Sequence, residues 1–121
     1  MPETIREHLN ELKQLEDGWL DGNGLAPTAE GLDWLTTVLE DRRLAGTAFP
    51  YLYPTEDGGV LAEYHMDKYG AELEVDPTTH KATWFQDGTE TDEDKYIENI
   101  DMDADGFIPW LKSKLTEGGV K

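Results

Sequence analysis

The chain contains no cysteine, few cations and no long apolar run. Without cysteine it forms no disulfide, offers no thiolate for catalysis and has no cysteine-ligated zinc site. No stretch approaches the roughly 18 apolar residues that a membrane-spanning helix needs. The polar N-terminal stretch, MPETIREHLNEL, has no apolar core of the kind that signal peptides carry. These absences predict a soluble, cytoplasmic protein.

The shortage of cations leaves a large excess of negative charge. Ten lysines and arginines stand against 27 aspartates and glutamates, and the formal net charge is −17. Such a surface repels nucleic acid and anionic lipid, and it attracts basic proteins and cations. The same charge also keeps a protein soluble without any further role. The 37% hydrophobic content and four tryptophans favour one folded domain of 121 residues over a disordered chain.

Apolar spacing predicts an α+β domain with two N-terminal helices, an antiparallel meander of about four strands and a C-terminal helix. The first helix is expected over residues 3–16. The second is expected after Pro27, with Thr28 as its N-cap and Gly46 as its C-terminal cap. Alternating polar and apolar residues, separated by turn residues, predict strands over 49–54, 60–66, 71–75 and 81–86.

The last third of the chain is harder to assign. Tyr96, Ile97 and Ile100 fit either a short strand or a helical turn. The final helix is expected from about Ala104 to Leu115. Its predicted buried face consists of Phe107, Trp110, Leu111 and Leu115.

The segment DMDADGF, residues 101–107, resembles the start of an EF-hand calcium loop. Asp101, Asp103 and Asp105 match the first three oxygen ligands, and Gly106 matches the glycine at position 6. Position 12, which carries a bidentate glutamate in that family, is Lys112 here. The loop therefore predicts weak calcium binding at most. The alternative is an acidic N-terminus for the last helix, capped by Asp103 or Asp105.

Nothing in the sequence predicts catalysis or a bound cofactor. It contains no Gly-rich phosphate loop, nucleophile elbow or HExxH motif, and its three histidines are scattered. Carboxylates are so numerous that a pair suited to acid–base chemistry has no diagnostic value without a pocket. The chain is therefore not expected to be an enzyme.

The acidic segment from Asp87 to Asp105 is the predicted contact region for a partner. It holds nine aspartates and glutamates and one lysine. The expected partner is a basic protein such as a nuclease or a nucleic-acid-binding complex, and the chain would act as an antitoxin, immunity or phage-encoded inhibitor. The alternatives are a calcium-responsive module and a soluble piece of a larger complex. The predicted contact residues are Asp87, Glu90, Asp92, Glu93, Asp94, Glu98, Asp101 and Asp103, together with Trp34, which is expected to be partly exposed.

Two stretches, LEDGWLDGNGLAPTAEGLDWL and PTEDGGVLAEY, resemble a group of small bacterial proteins of largely unknown function. In that group an Asp-Gly-Trp segment and a Gly-rich loop precede a Pro-started helix, and a Gly-Gly-Val turn opens a later strand. The resemblance covers about the first 75 residues and implies a compact α+β domain in a bacterial or phage setting. The matching residues are Asp17, Gly18, Trp19, Asp21, Gly22, Gly24, Pro27, Gly58, Gly59, Val60, Glu63 and Tyr64.

Overall fold

The computed structural model describes residues 4–89 and 93–120. The chain folds as α+β, with two N-terminal helices, a five-stranded antiparallel meander and a C-terminal helix. The helices are α1 (Ile5–Leu12), α2 (Ala29–Leu39) and α3 (Phe107–Gly118), and a 3₁₀ turn spans Arg42–Leu44. The strands are β1 (Tyr51–Pro54), β2 (Val60–His65), β3 (Gly70–Asp76), β4 (Lys81–Gln86) and β5 (Lys95–Asp101). No helix in the described ranges is long and apolar enough to cross a membrane.

The sheet follows the order of the chain, β1-β2-β3-β4-β5, so β1 and β5 are its two edges. Successive side chains of a strand point to opposite faces. In β2, β3 and β4 every second residue is buried. The buried set packs against the three helices, which all cover this one face. The opposite face has no layer over it within the described chain.

The core lies between the helices and the covered face of the sheet. Trp84 of β4 is fully buried at its centre, and the ring of Trp110 from α3 meets it edge-on at 5.4 Å. Leu35 of α2, Leu73 of β3 and Leu111 of α3 are also fully buried. Large aromatic side chains contribute the most burial per residue, which suits a domain of this size.

Several helix ends differ from the sequence prediction. α1 ends at Leu12 rather than at residue 16, and α3 spans Phe107–Gly118 rather than Ala104 to Leu115. Gly46 does not cap α2, which already ends at Leu39, because Asp41 accepts the backbone N–H of Arg43 and begins the separate 3₁₀ turn. At α3 the N-cap is Gly106, and no side chain caps the helix. The expectation that Asp103 or Asp105 caps this helix is therefore wrong. The predicted N-cap of α2 is confirmed, since Thr28 Oγ1 accepts the N–H of Gly31.

Candidate protein-binding surface

The uncovered side of the sheet, called here the open face, combines carboxylates with aromatic rings. All five strands contribute to it, and its side chains alternate with the buried ones. Its members are Tyr51, Tyr53, Leu61, Glu63, His65, Glu72, Glu74, Asp76, Lys81, Thr83, Phe85, Tyr96, Glu98 and Asp101. Six of these are acidic and one is a lysine. The open face is therefore strongly negative.

One row of directly opposed residues crosses the whole sheet. Its order is Tyr51, Glu63, Glu72, Phe85 and Tyr96, one residue from each strand. Two glutamates thus face each other on neighbouring central strands, an arrangement that destabilises a sheet through like-charge repulsion. Aromatic rings flank the glutamate pair on both sides.

The next row along the strands carries one carboxylate. Glu74 of β3 lies between Leu61 of β2 and Thr83 of β4. A shallow concavity of about 810 Å³ runs over β3, β4 and β5. Its lining includes Glu72, Glu74, Asp76, Lys81, Phe85 and Tyr96. The concavity thus offers carboxylates and aromatic rings to the same ligand.

Most carboxylates of the open face form no salt bridge with a described cation, although Lys81 lies directly opposite Asp76 and Asp101. None of the salt bridges between described residues involves Glu72, Glu74 or Asp76. Glu63 has a hydrogen-bonding partner on its own strand, since its Oε1 lies 2.5 Å from Nε2 of His65. Uncompensated carboxylates attract a cationic partner more strongly than paired ones do.

The aromatic rings of the open face are accessible. Tyr51, Tyr53 and Tyr96 are 49%, 45% and 62% exposed. The hydrogen bond between Tyr96 and Glu98, together with the charge of that carboxylate, raises the pKa of the Tyr96 hydroxyl. The exposed ring of Tyr96 can accept the cationic group of a lysine or arginine.

The sequence-predicted contact residues are spread over several places. Glu98 and Asp101 lie on the open face, in β5. Asp87, Glu93 and Asp94 are exposed around the β4–β5 connection, where Asp94 accepts the N–H of Gly88. Glu90 and Asp92 lie outside the described residues.

The remaining two, Trp34 and Asp103, belong to one cluster at the end of the sheet. The ring of Trp34 stacks on that of His80, with centroids 3.7 Å apart and planes 7° from parallel. The Asp103 carboxylate spans both rings, accepting Trp34 Nε1–H at 3.1 Å and contacting His80 Nδ1 at 2.7 Å. The hydrogen bond with His80 lowers the pKa of Asp103. Trp34 is partly exposed, but its polar edge already has an internal partner.

The same contacts bear on the predicted calcium loop. Asp103 is engaged by His80 and Trp34, and Oδ1 of Asp101 accepts the N–H of Asp103. Among residues 4–89 and 93–120, no three histidine or carboxylate side chains are grouped to hold a metal ion. The arrangement gives the set Asp101, Asp103 and Asp105 no support as ligands, and calcium binding stays a prediction of the sequence.

Sequence reasoning missed the open face itself. The alternation predicts the strands, but the density of acids is highest in the segment 87–105 and lower in the polar half of each strand. The sequence did contain a signal for this face. Glu72 and Glu74 alternate with Leu73 on one predicted strand, and the turn places Glu63 of the preceding strand beside them, on the same side of the sheet. His80 was likewise missed, because its partner Asp103 lies 23 residues away in the sequence. Trp34, which also bonds to Asp103, lies 69 residues from that carboxylate.

The chain matches no protein-family model, no curated protein and no solved structure. The resemblance to small bacterial proteins therefore stays a prediction.

Proposed function

We propose that the protein is a binding protein of the inhibitor type, which covers a basic, nucleic-acid-binding surface of a partner with the open face of its sheet. The observation that carries this proposal is the row through Glu63 and Glu72. Like charges opposed on central strands oppose folding, and no described cation lies against Glu72. A basic partner would relieve that repulsion on binding.

The aromatic rings give the surface more than charge. Interfaces concentrate binding energy in aromatic residues at their centre, surrounded by polar groups. On the open face a guanidinium lying on the ring of Phe85 or Tyr96 would be next to Glu72 or Glu98. Arginine-rich surfaces that bind nucleic acid present this group, so the open face fits a surface that otherwise binds phosphates.

Electrostatic complementarity of this kind acts mainly on association. Opposite fields raise association rates by about 10–1000-fold, and the gain falls as ionic strength rises. An inhibitor that competes with nucleic acid for one surface benefits directly, since both ligands are attracted by the same basic groups.

The proposal is tested by affinity capture with two matched charge variants. The tagged wild type is incubated with a lysate of the organism that encodes it, eluted with a salt gradient and read by mass spectrometry. The face variant carries Glu63→Gln, Glu72→Gln and Glu74→Gln. The control variant carries Glu11→Gln, Glu16→Gln and Glu30→Gln, which remove the same charge from exposed residues outside the open face.

A partner that binds the wild type and the control variant but not the face variant supports the proposal. The purified partner should also lose its affinity for nucleic acid when wild-type protein is added. Equal capture by all three proteins would refute the assignment to the open face. Equal loss in both variants would show that total charge, rather than this surface, governs binding.

A further inference from the structure

The two edges of the sheet differ in how well they are protected. Edge strands expose unpaired backbone groups, and proteins usually protect them with proline, with charged residues or by keeping them short. β1 has four residues, ends at Pro54 and follows Pro50. β5 has seven residues and no proline, and it pairs with β4 alone among the described strands. β5 carries three charged residues, Lys95, Glu98 and Asp101, which protect its edge in part. Its free edge is nevertheless the longer of the two, and no proline interrupts it.

The two ends of β5 also differ. Thr83 of β4 faces two residues of β5, Glu98 and Asn99, and this bulge carries a left-handed backbone at Asn99, with φ of 56°. Bulges end or redirect pairing at sheet edges. The part of the free edge that precedes the left-handed residue Asn99 is thus residues 95–98.

The side chains of residues 95–98 lie alternately on the covered side and on the open face of the sheet. Ile97 lies opposite the fully buried Trp84 on the covered side of the sheet, yet it is 38% exposed. Tyr96 and Glu98 lie on the open face. A sixth strand would cover the exposed part of Ile97 with an apolar side chain and place its alternate side chains beside the carboxylates of the open face.

We propose that the free edge of β5, residues 95–98, pairs with an extended segment of the partner in which basic residues alternate with apolar ones. This inference rests on the proposed function and specifies how the partner is held. Strand addition of this kind takes affinity from main-chain hydrogen bonds and specificity from alternate side chains. A second copy of the chain is a poor occupant, because each copy carries a net charge of −17 and brings Glu98 to the same edge.

The test uses two synthetic peptides and the full-length protein. The first peptide is an end-capped alternating octamer, four repeats of Arg-Val. The second has the same charge, but proline replaces its two central valines and removes two backbone donors. Affinity is measured by calorimetry, and amide exchange of residues 95–98 by NMR. Strand pairing predicts slowed exchange with the first peptide and about tenfold weaker binding of the second.

A pair of protein variants gives an independent readout. Ile97→Lys places a charge at the proposed edge, whereas Val120→Lys adds the same charge at a residue that is 63% exposed and lies after α3. The first variant should lose about tenfold in affinity for the alternating peptide and the second should lose little. Circular dichroism and thermal melts verify that both variants are folded.

The outcomes separate this inference from the proposed function. Equal affinity for the two peptides, with both weakened by the face variant, would overturn strand pairing and leave the open face as a binding surface. No binding of either peptide, or binding without protection of residues 95–98, would overturn the inference as well. Protection that appears without peptide and grows with protein concentration would assign the edge to self-association.

Discussion

Glu72→Gln should make the protein more stable. Glu72 lies on a central strand, directly opposite Glu63, and Glu74 follows it on the same face. Two unit charges about 6 Å apart in water repel each other by about 0.7 kcal/mol. Directly opposed like charges in sheets are unfavourable by about 0.2–1 kcal/mol. Replacing the carboxylate by an amide of the same shape should therefore raise the free energy of unfolding by about 0.5–1 kcal/mol.

Urea denaturation followed by tryptophan fluorescence measures this change, because Trp84 is fully buried and reports on the core. The corresponding rise in melting temperature is about 2–5 °C for a chain of this length. The measurement is made at low salt and at 1 M salt, where the screening length falls to about 3 Å. The gain should be present in the first condition and largely lost in the second. Glu11→Gln, on the exposed side of α1, is the control and should change stability little.

Two results would refute the reasoning. A neutral or destabilising effect of Glu72→Gln at low salt would mean that the opposed carboxylates do not repel each other appreciably. A gain that persists undiminished at 1 M salt would assign the effect to something other than charge. The same variant should also bind the partner more weakly, so stability and binding should change in opposite directions.

Two further predictions concern the parts of the fold away from the open face. Asp103→Asn should lower the melting temperature at neutral pH by weakening the contact with His80. Because folding lowers the pKa of Asp103, the carboxylate stabilises the protein above the unfolded-state pKa of 3.8, and this stabilisation is lost as pH falls through the folded-state pKa. Melting temperatures recorded from pH 7 to pH 2 should therefore decline less steeply with acid in the variant than in the wild type. Gly31→Ala should lower the free energy of unfolding, measured by urea denaturation, by about 1–3 kcal/mol, although the same change in an exposed helix adds stability. The added Cβ would lie 2.7 Å from Cβ of Pro77 and 2.9 Å from Oγ1 of Thr28. A stabilised variant would show that Pro77 moves aside freely.

The sequence predicted the parts of the fold whose signals are local. The strand over residues 81–86 and the N-cap Thr28 are both confirmed, because alternation and capping depend on neighbours within a few residues. The N-terminal end of α3 could not be predicted from local signals. Its start was expected to involve Asp103, but that carboxylate is engaged by His80 and Trp34, which are distant in sequence.

The fifth strand shows why a period can mislead. Ile97 and Ile100 are three residues apart, which is helical spacing, yet they lie opposite Trp84 and Ala82 on the same face of the sheet. Residues on the same face of a regular strand are an even number of positions apart. The bulge inserts one extra residue between Ile97 and Ile100, so these two same-face residues are three positions apart. The sequence alone therefore left strand and helical turn as equal alternatives, and the pairing with β4 decides between them.

The expected positions of the carboxylates differ according to whether the charge serves only solubility or also serves binding. Solubility requires only that acids be exposed, and the helices and turns of this chain provide many exposed positions. Nothing in that requirement favours Glu63 opposite Glu72 on central strands, where repulsion reduces stability. Proteins retain such unfavourable arrangements mainly at functional sites, where a ligand compensates for them. The arrangement of acids on the open face, rather than the net charge of −17, is thus the stronger argument for a cationic partner.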